Sequence, residues 1–135
     1  MEVNGACHCG AIRYRAEVDP ERVTICHCTD CQALTGTAYR VSVAAPADAF
    51  QLLKGRPKLY IKLGDSGARR AQAFCADCGS PLYTYAADEP EVTSYGLRVG
   101  GLQERRELLP RKRIWCASEL AWSLDVSGVP GRPGE

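Results

Sequence analysis

Residues 11–18, "AIRYRAEV", set apolar Ile12, Tyr14, Ala16 and Val18 against polar Arg13, Arg15 and Glu17 in strict alternation. A period of two is the pattern of a strand with one face buried. "VTIC" (23–26) and "YRVSVAA" (39–45) predict further strands, with Pro46 ending the second. Between them "TDCQALTG" opens on Thr29 and Asp30, residue types that cap helices, and closes on Gly36. That predicts one or two helical turns. "ADAFQLLKG" reads as another helical turn, ending at Gly55. "LYIKL", "ARRAQAF", "PLYTYAA", "VTSYGLRV", "RIWCA" and "AWSLDV" are short runs punctuated by Gly, Pro or Asp, and each predicts a strand. Many short strands at this spacing imply an all-β sandwich or a partly open barrel. Residues 1–127 are expected to form one domain, and the Gly- and Pro-rich residues 128–135 a disordered tail.

Composition changes this picture little. A chain of 135 residues, 45% hydrophobic and 24% charged, suits an ordinary globular core. A net charge of +1 gives no global pull toward nucleic acid or an anionic membrane, so neither is an expected partner. No apolar run reaches the roughly 20 residues that span a bilayer. The opening "MEVNGACHCG" lacks the basic and apolar regions of a signal peptide, so the expected compartment is a reducing cytoplasm.

The cysteines change the picture more. There are eight, in three clusters and a singleton: Cys7 and Cys9, then Cys26, Cys28 and Cys31, then Cys75 and Cys78, then Cys116. In a reducing compartment such an excess points to metal rather than disulfides. Cys75-x-x-Cys78-Gly79 has the shape of a zinc knuckle, in which a tight turn aims two thiolates at one ion. Cys7 and Cys9, two apart on a strand, would point the same way and complete a four-thiolate structural site. The competing reading of the CxxC is a redox dithiol, but no βαβ pattern surrounds it. Cys26, Cys28 and Cys31 supply three thiolates from one local segment, which is the ligand count of a catalytic zinc with an open position. Cys116 could close that site, and so could His27, although an extended strand would turn His27 to the opposite face. His8 stands in the same relation to Cys7 and Cys9, and both histidines read more naturally as supporting residues than as ligands.

In this order, "GACHCGAIRY", "CHCTDCQALTG" and "FCADCGSPL" resemble the family of glutathione-dependent formaldehyde-activating enzymes, whose domain is shared with centromere protein V. The resemblance runs from about residue 5 to about residue 124, with "AFQLLKG" and "RIWCASELAW" also similar to family segments. It implies a β-tent, an all-β fold of short antiparallel strands braced by zinc. Two zinc ions per chain are implied: a structural one on Cys7, Cys9, Cys75 and Cys78, and a catalytic one on Cys26, Cys28 and Cys31. The implied activity is a carbon–sulfur lyase reaction that joins glutathione to formaldehyde as S-hydroxymethylglutathione. The expected partners are therefore a small thiol and a small aldehyde.

The chain departs from the family in places. Arg113 stands where the family has a histidine before Ile-Trp, "GGLQ" (100–103) lacks an acidic residue found in relatives, and Cys116 lies outside the family motif. Two other function classes stay open. One is a binding module with two closed structural zinc sites that recognises a protein or nucleic acid; the other is a redox sensor using Cys26, Cys28 and Cys31. A thiolate-rich site would need nearby cations, and the run Arg105, Arg106, Arg111, Lys112 and Arg113 is a candidate source, or a clamp for glutathione's carboxylates. Such a run is more usually a solvated face.

Overall fold

The computed structural model describes residues 1–135. Ten strands form two sheets around one small core. The smaller sheet has the order β1 (Glu2–Ala6), β2 (Arg13–Glu17) and β5 (Phe50–Lys54). The larger runs β10 (Lys112–Ile114), β3 (Val23–Cys26), β4 (Arg40–Pro46), β9 (Ser94–Arg98), β8 (Pro81–Ala86), β7 (Arg69–Phe74) and β6 (Lys58–Leu63). Every pairing is antiparallel except β10 on β3. The single α-helix, α1, spans Thr29–Thr35. The all-β expectation holds, and no helix is long and apolar enough to cross a membrane.

The period-two reading explains the packing. Tyr14 and Ala16 of β2 are buried and Arg13, Arg15 and Glu17 exposed, as the alternation requires. Across the larger sheet, Val23 pairs with Val43, Val43 with Leu97 and Leu97 with Tyr83, which lines one face with apolar side chains. That face meets the smaller sheet through an aromatic row. Phe50 stacks within 4.4 Å of Tyr95 and 5.0 Å of Tyr83, and Tyr14 lies 5.5 Å from Phe50, centroid to centroid. The opposite face carries Thr24, Cys26, Arg40, Ser42, Arg98, Thr84 and Gln72 from neighbouring strands. One face of this sheet builds the core, and the other is polar.

Several local expectations fail for identifiable reasons. "ADAFQLLKG" keeps only a 3-10 turn, Ala47–Ala49, and then continues as β5, because Phe50 and Leu52 can pair with Ala16 and Tyr14 of β2. Long-range pairing overrides a local helical pattern. "AWSLDV" is a 3-10 turn over Ala121–Leu124 rather than a strand, with no neighbour to pair with. "RIWCA" is a strand only as far as Ile114, after which Trp115 adopts φ 57° and turns the chain into a 3-10 helix.

Candidate functional site

The two cysteine clusters sit at the ends of strands. Cys7 follows β1 in a turn closed by Gly10 N–H donating to Cys7 O, so the CxC pair lies on a turn and not on a strand. Cys75 and Cys78 occupy the β7–β8 hairpin, where Gly79 at φ 76° lets its N–H reach Cys75 O at 2.8 Å. The four sulfurs lie within 4.8 Å of one another, with Cys7 to Cys9 at 3.6 Å and Cys9 to Cys75 at 3.8 Å. A tetrahedron of thiolates around zinc has edges of about 3.8 Å. Disulfides are absent. Ser80 sits 3.2 Å from the Cys78 sulfur, and its hydroxyl, with the N–H groups of Cys9 and Ser80, draws the Cys78 thiol down to about 5. The donor set and spacing fit a closed four-thiolate metal site.

The second cluster is built locally. Cys26 ends β3, Cys28 caps α1 and Cys31 lies in its first turn. The cap is the Cys28 sulfur, which accepts from Cys31 N–H at 3.2 Å, rather than Thr29 or Asp30 as the sequence suggested. Gly36 closes the helix in the left-handed conformation, φ 66°, with its N–H on Gln32 O. The three sulfurs also lie within 4.8 Å of one another. A hydrogen bond from Cys31 holds Cys26 below the ordinary thiol range, while that bond and burial push Cys31 well above it. Cys26 and Cys31, which compete for one negative charge, fit a bound cation.

Neither sequence candidate for a fourth ligand joins this group. Cys116 is exposed and lies outside it. His27 is 1% exposed, turned into the interior against Tyr39, and neither ring nitrogen has a hydrogen-bond partner. His27 is thus buried rather than solvated, with Glu119 Oε2 at 4.0 Å from Nε2. His8 is exposed, and its N–H donates to Ser80 Oγ. The segment after β10 clamps the cluster. Gln32 Nε2 donates to both His27 O and Ser118 O at 2.9 Å, Ser118 Oγ donates to His27 O, and His27 N–H donates to Ile114 O.

The polar face of the larger sheet continues from the three sulfurs into a cavity of about 360 Å³. Its wall includes Arg40 and Arg98, which sequence reasoning missed. The two guanidiniums act electrostatically on the cluster, Arg40 on Cys31 and Arg98 on both Cys26 and Cys31. Burial, with Arg40 nearby, pushes Arg98 down to about 9, which still leaves it charged at neutral pH. Arg98 is fixed by Ser42 Oγ at 2.7 Å and Gln72 Oε1 at 2.6 Å, and Gln72 in turn donates to Thr84. Of the run proposed from sequence, Arg111 pairs with Glu21, Arg113 pairs with Glu119, and Lys112 alone lines this cavity. Arg105 lines a second cavity of about 640 Å³, together with Gln103, Tyr39 and the same Arg40 and Arg98. The signal that could have found Arg40 and Arg98 is alternation: each is the charged residue at the end of an otherwise apolar or small-residue strand, in step with that strand's other polar-face positions.

A family model described as "Glutathione-dependent formaldehyde-activating enzyme" matches residues 2–118. A curated Halomonas elongata protein, provisionally named a glutathione-dependent formaldehyde-activating enzyme, is 29% identical over 100 residues. That match covers 68% of this chain and 61% of the relative, so the chain spans less than two thirds of that protein's length. A crystal structure of a Rhodobacter sphaeroides protein superposes with a TM-score of 0.61 at 24% identity, covering 84% of this chain and 99% of the other. At that identity the likeness concerns the fold.

Proposed function

The chain belongs to the glutathione-dependent formaldehyde-activating enzyme family, and from that footing we propose that it joins a thiol, glutathione or a close relative, to a small aldehyde. The observation that carries this reading is the three-sulfur cluster of Cys26, Cys28 and Cys31, with no fourth protein ligand, opening onto the 360 Å³ cavity. In this reading Cys7, Cys9, Cys75 and Cys78 hold a structural zinc, and Cys26, Cys28 and Cys31 hold a second. Zinc at the second position would supply thiolate stabilisation at neutral pH and Lewis acidity toward a carbonyl oxygen. The reaction forms one carbon–sulfur bond, opens the carbonyl π bond and moves the thiol proton to oxygen, with no redox change. The chain's own contribution is electrostatic. Arg40 and Arg98 offset the negative sulfur cluster, and Arg98, held by Ser42 and Gln72, keeps a fixed positive charge beside the oxygen that gains charge. Gln32 and Ser118 hold the cluster loop in place. The same reading takes residues 1–127 as one catalytic domain, working in a reducing compartment.

The alternative, a closed zinc module that recognises a macromolecule, would need Cys116 or His27 at the second cluster. Native mass spectrometry of the intact chain separates the two. Two zinc ions and an adduct on adding glutathione are expected. Two zinc ions with no adduct of any thiol would favour the closed module, and one ion or none would sink the two-site reading.

A further inference from the structure

Formaldehyde is uncharged and asks for no cation. Yet the cavity beside Cys26, Cys28 and Cys31 is lined by Arg22, Arg40, Lys62, Arg70, Arg98 and Lys112, and by no carboxylate. Asp30 answers Lys62 at 2.7 Å, and none of the other five has an acidic partner. Arg22 and Lys112 are exposed, so water answers them; with Arg70 they suit the carboxylates of a thiol such as glutathione. The inner pair is different. Arg40 is 6% exposed, and the Nε atoms of both Arg40 and Arg98 are buried with no partner. A buried guanidinium without a counter-charge is costly. Both guanidiniums stand on the wall that carries the three sulfurs, where a reacting carbonyl carbon has to sit.

Arg98 is already committed to Ser42 and Gln72, whereas no side chain of the protein engages Arg40. Arg40 faces Cys26 directly across the β3–β4 register. We propose that the carbonyl substrate is itself an anion, a small 2-oxo acid of glyoxylate's size, whose carboxylate is taken by the free fork of Arg40 against the positive wall of Arg98. The inference rests on the thiol-addition reading and deepens it. A carboxylate bonded directly to the carbonyl carbon keeps that carbon beside the sulfurs when Arg40 holds the anion; a more distant anion would carry it away. The step is balanced: the thiol sulfur bonds to the carbonyl carbon, the π electrons pass to oxygen, and the thiol proton ends there, giving a hemithioacetal carboxylate.

The test uses the full-length, zinc-loaded chain. Calorimetry measures binding of oxamate, an unreactive stand-in for a 2-oxo acid, against acetate and inorganic phosphate. The rate of glutathione addition is then compared between glyoxylate and glycolaldehyde, its neutral counterpart of similar size. Oxamate is expected to bind about tenfold or more tighter than acetate, and Arg40→Gln to weaken it by a similar factor with the zinc count unchanged. Glyoxylate is expected to exceed glycolaldehyde in kcat/KM by about tenfold or more. Phosphate binding as tightly as oxamate would overturn the proposal in favour of a general anion site. Glycolaldehyde or formaldehyde reacting as well as glyoxylate would also overturn it, while leaving thiol addition standing. Failure of every aldehyde to form an adduct would instead sink the thiol-addition reading, and this inference with it. If Arg40→Gln does not fold, the ligand comparisons on the unaltered chain decide alone.

Discussion

At Gly5 a Cβ would clash with the ring carbons of Tyr14, because the two residues face each other in the β1–β2 register and the tyrosine ring lies flat over the glycine. Gly5→Ala is therefore expected to displace the ring that anchors the aromatic row, at a cost of about 1–3 kcal/mol. Urea unfolding checks this, and an unchanged midpoint would show that the ring moves freely. Glu104 gives a second residue-scale expectation. Its carboxylate accepts from Asn4 N–H at 2.8 Å and Asn4 Nδ2 at 3.1 Å, tying β1 to a loop 100 residues away. Burial opposes the charge, but these amides outweigh it and hold the carboxyl below its ordinary range. The folded form therefore binds this proton less readily than the unfolded one. The resulting stability is present above the ordinary carboxylate value and is lost as pH falls through the lowered one. Glu104→Gln should cost about 1 kcal/mol at pH 7, since water still reaches the group, and the gap to wild type should shrink on acidification. A gap independent of pH would mean that the charge plays no part.

At the scale of elements, the site depends on a strand that arrives late in the chain. β10 adds in parallel to β3, and the segment after it reaches Gln32 and His27 through Ser118. Gln32→Ala removes both of its contacts at once. On the two-zinc reading it should speed chelator-driven loss of one zinc several-fold and leave the other in place; equal loss of both would refute the clamp. This clamp was not legible in the sequence. Strands with clear alternation, such as 11–18, and the cysteine spacings themselves could be read because they are local. The switch of Phe50–Lys54 from helical pattern to strand and the burial of Arg40 each depend on a strand distant in sequence, whereas the Cys28 cap is local but uses a thiol, which is not among the usual capping residue types. The basic run at 105–113 divides, because charge alone does not say which side chains face inward: Arg111 and Arg113 are spent on Glu21 and Glu119, as on a solvated face, while Lys112 lines the cavity.

For the whole molecule, the four-sulfur cluster joins the end of β1 in the small sheet to the β7–β8 hairpin in the large one. Metal there would work as a tie between the two sheets. Removing metal with a chelator should lower the unfolding temperature markedly, and Cys75→Ser should reproduce most of that loss while sparing metal at the other cluster. A chain that melts at the same temperature with and without metal would exclude the tie. The two clusters also differ in how much chain each must gather. Cys26, Cys28 and Cys31 meet within one short segment from the end of β3 to the first turn of α1, whereas Cys9 and Cys75 are 66 residues apart. Closing a loop of that length carries an entropic cost that a local cluster escapes. During synthesis or refolding, the three-sulfur cluster can therefore capture an ion while most of the chain is unstructured, and the four-sulfur cluster only once both sheets exist. Metal uptake should proceed in two phases, the fast one independent of folding and the slow one keeping pace with it.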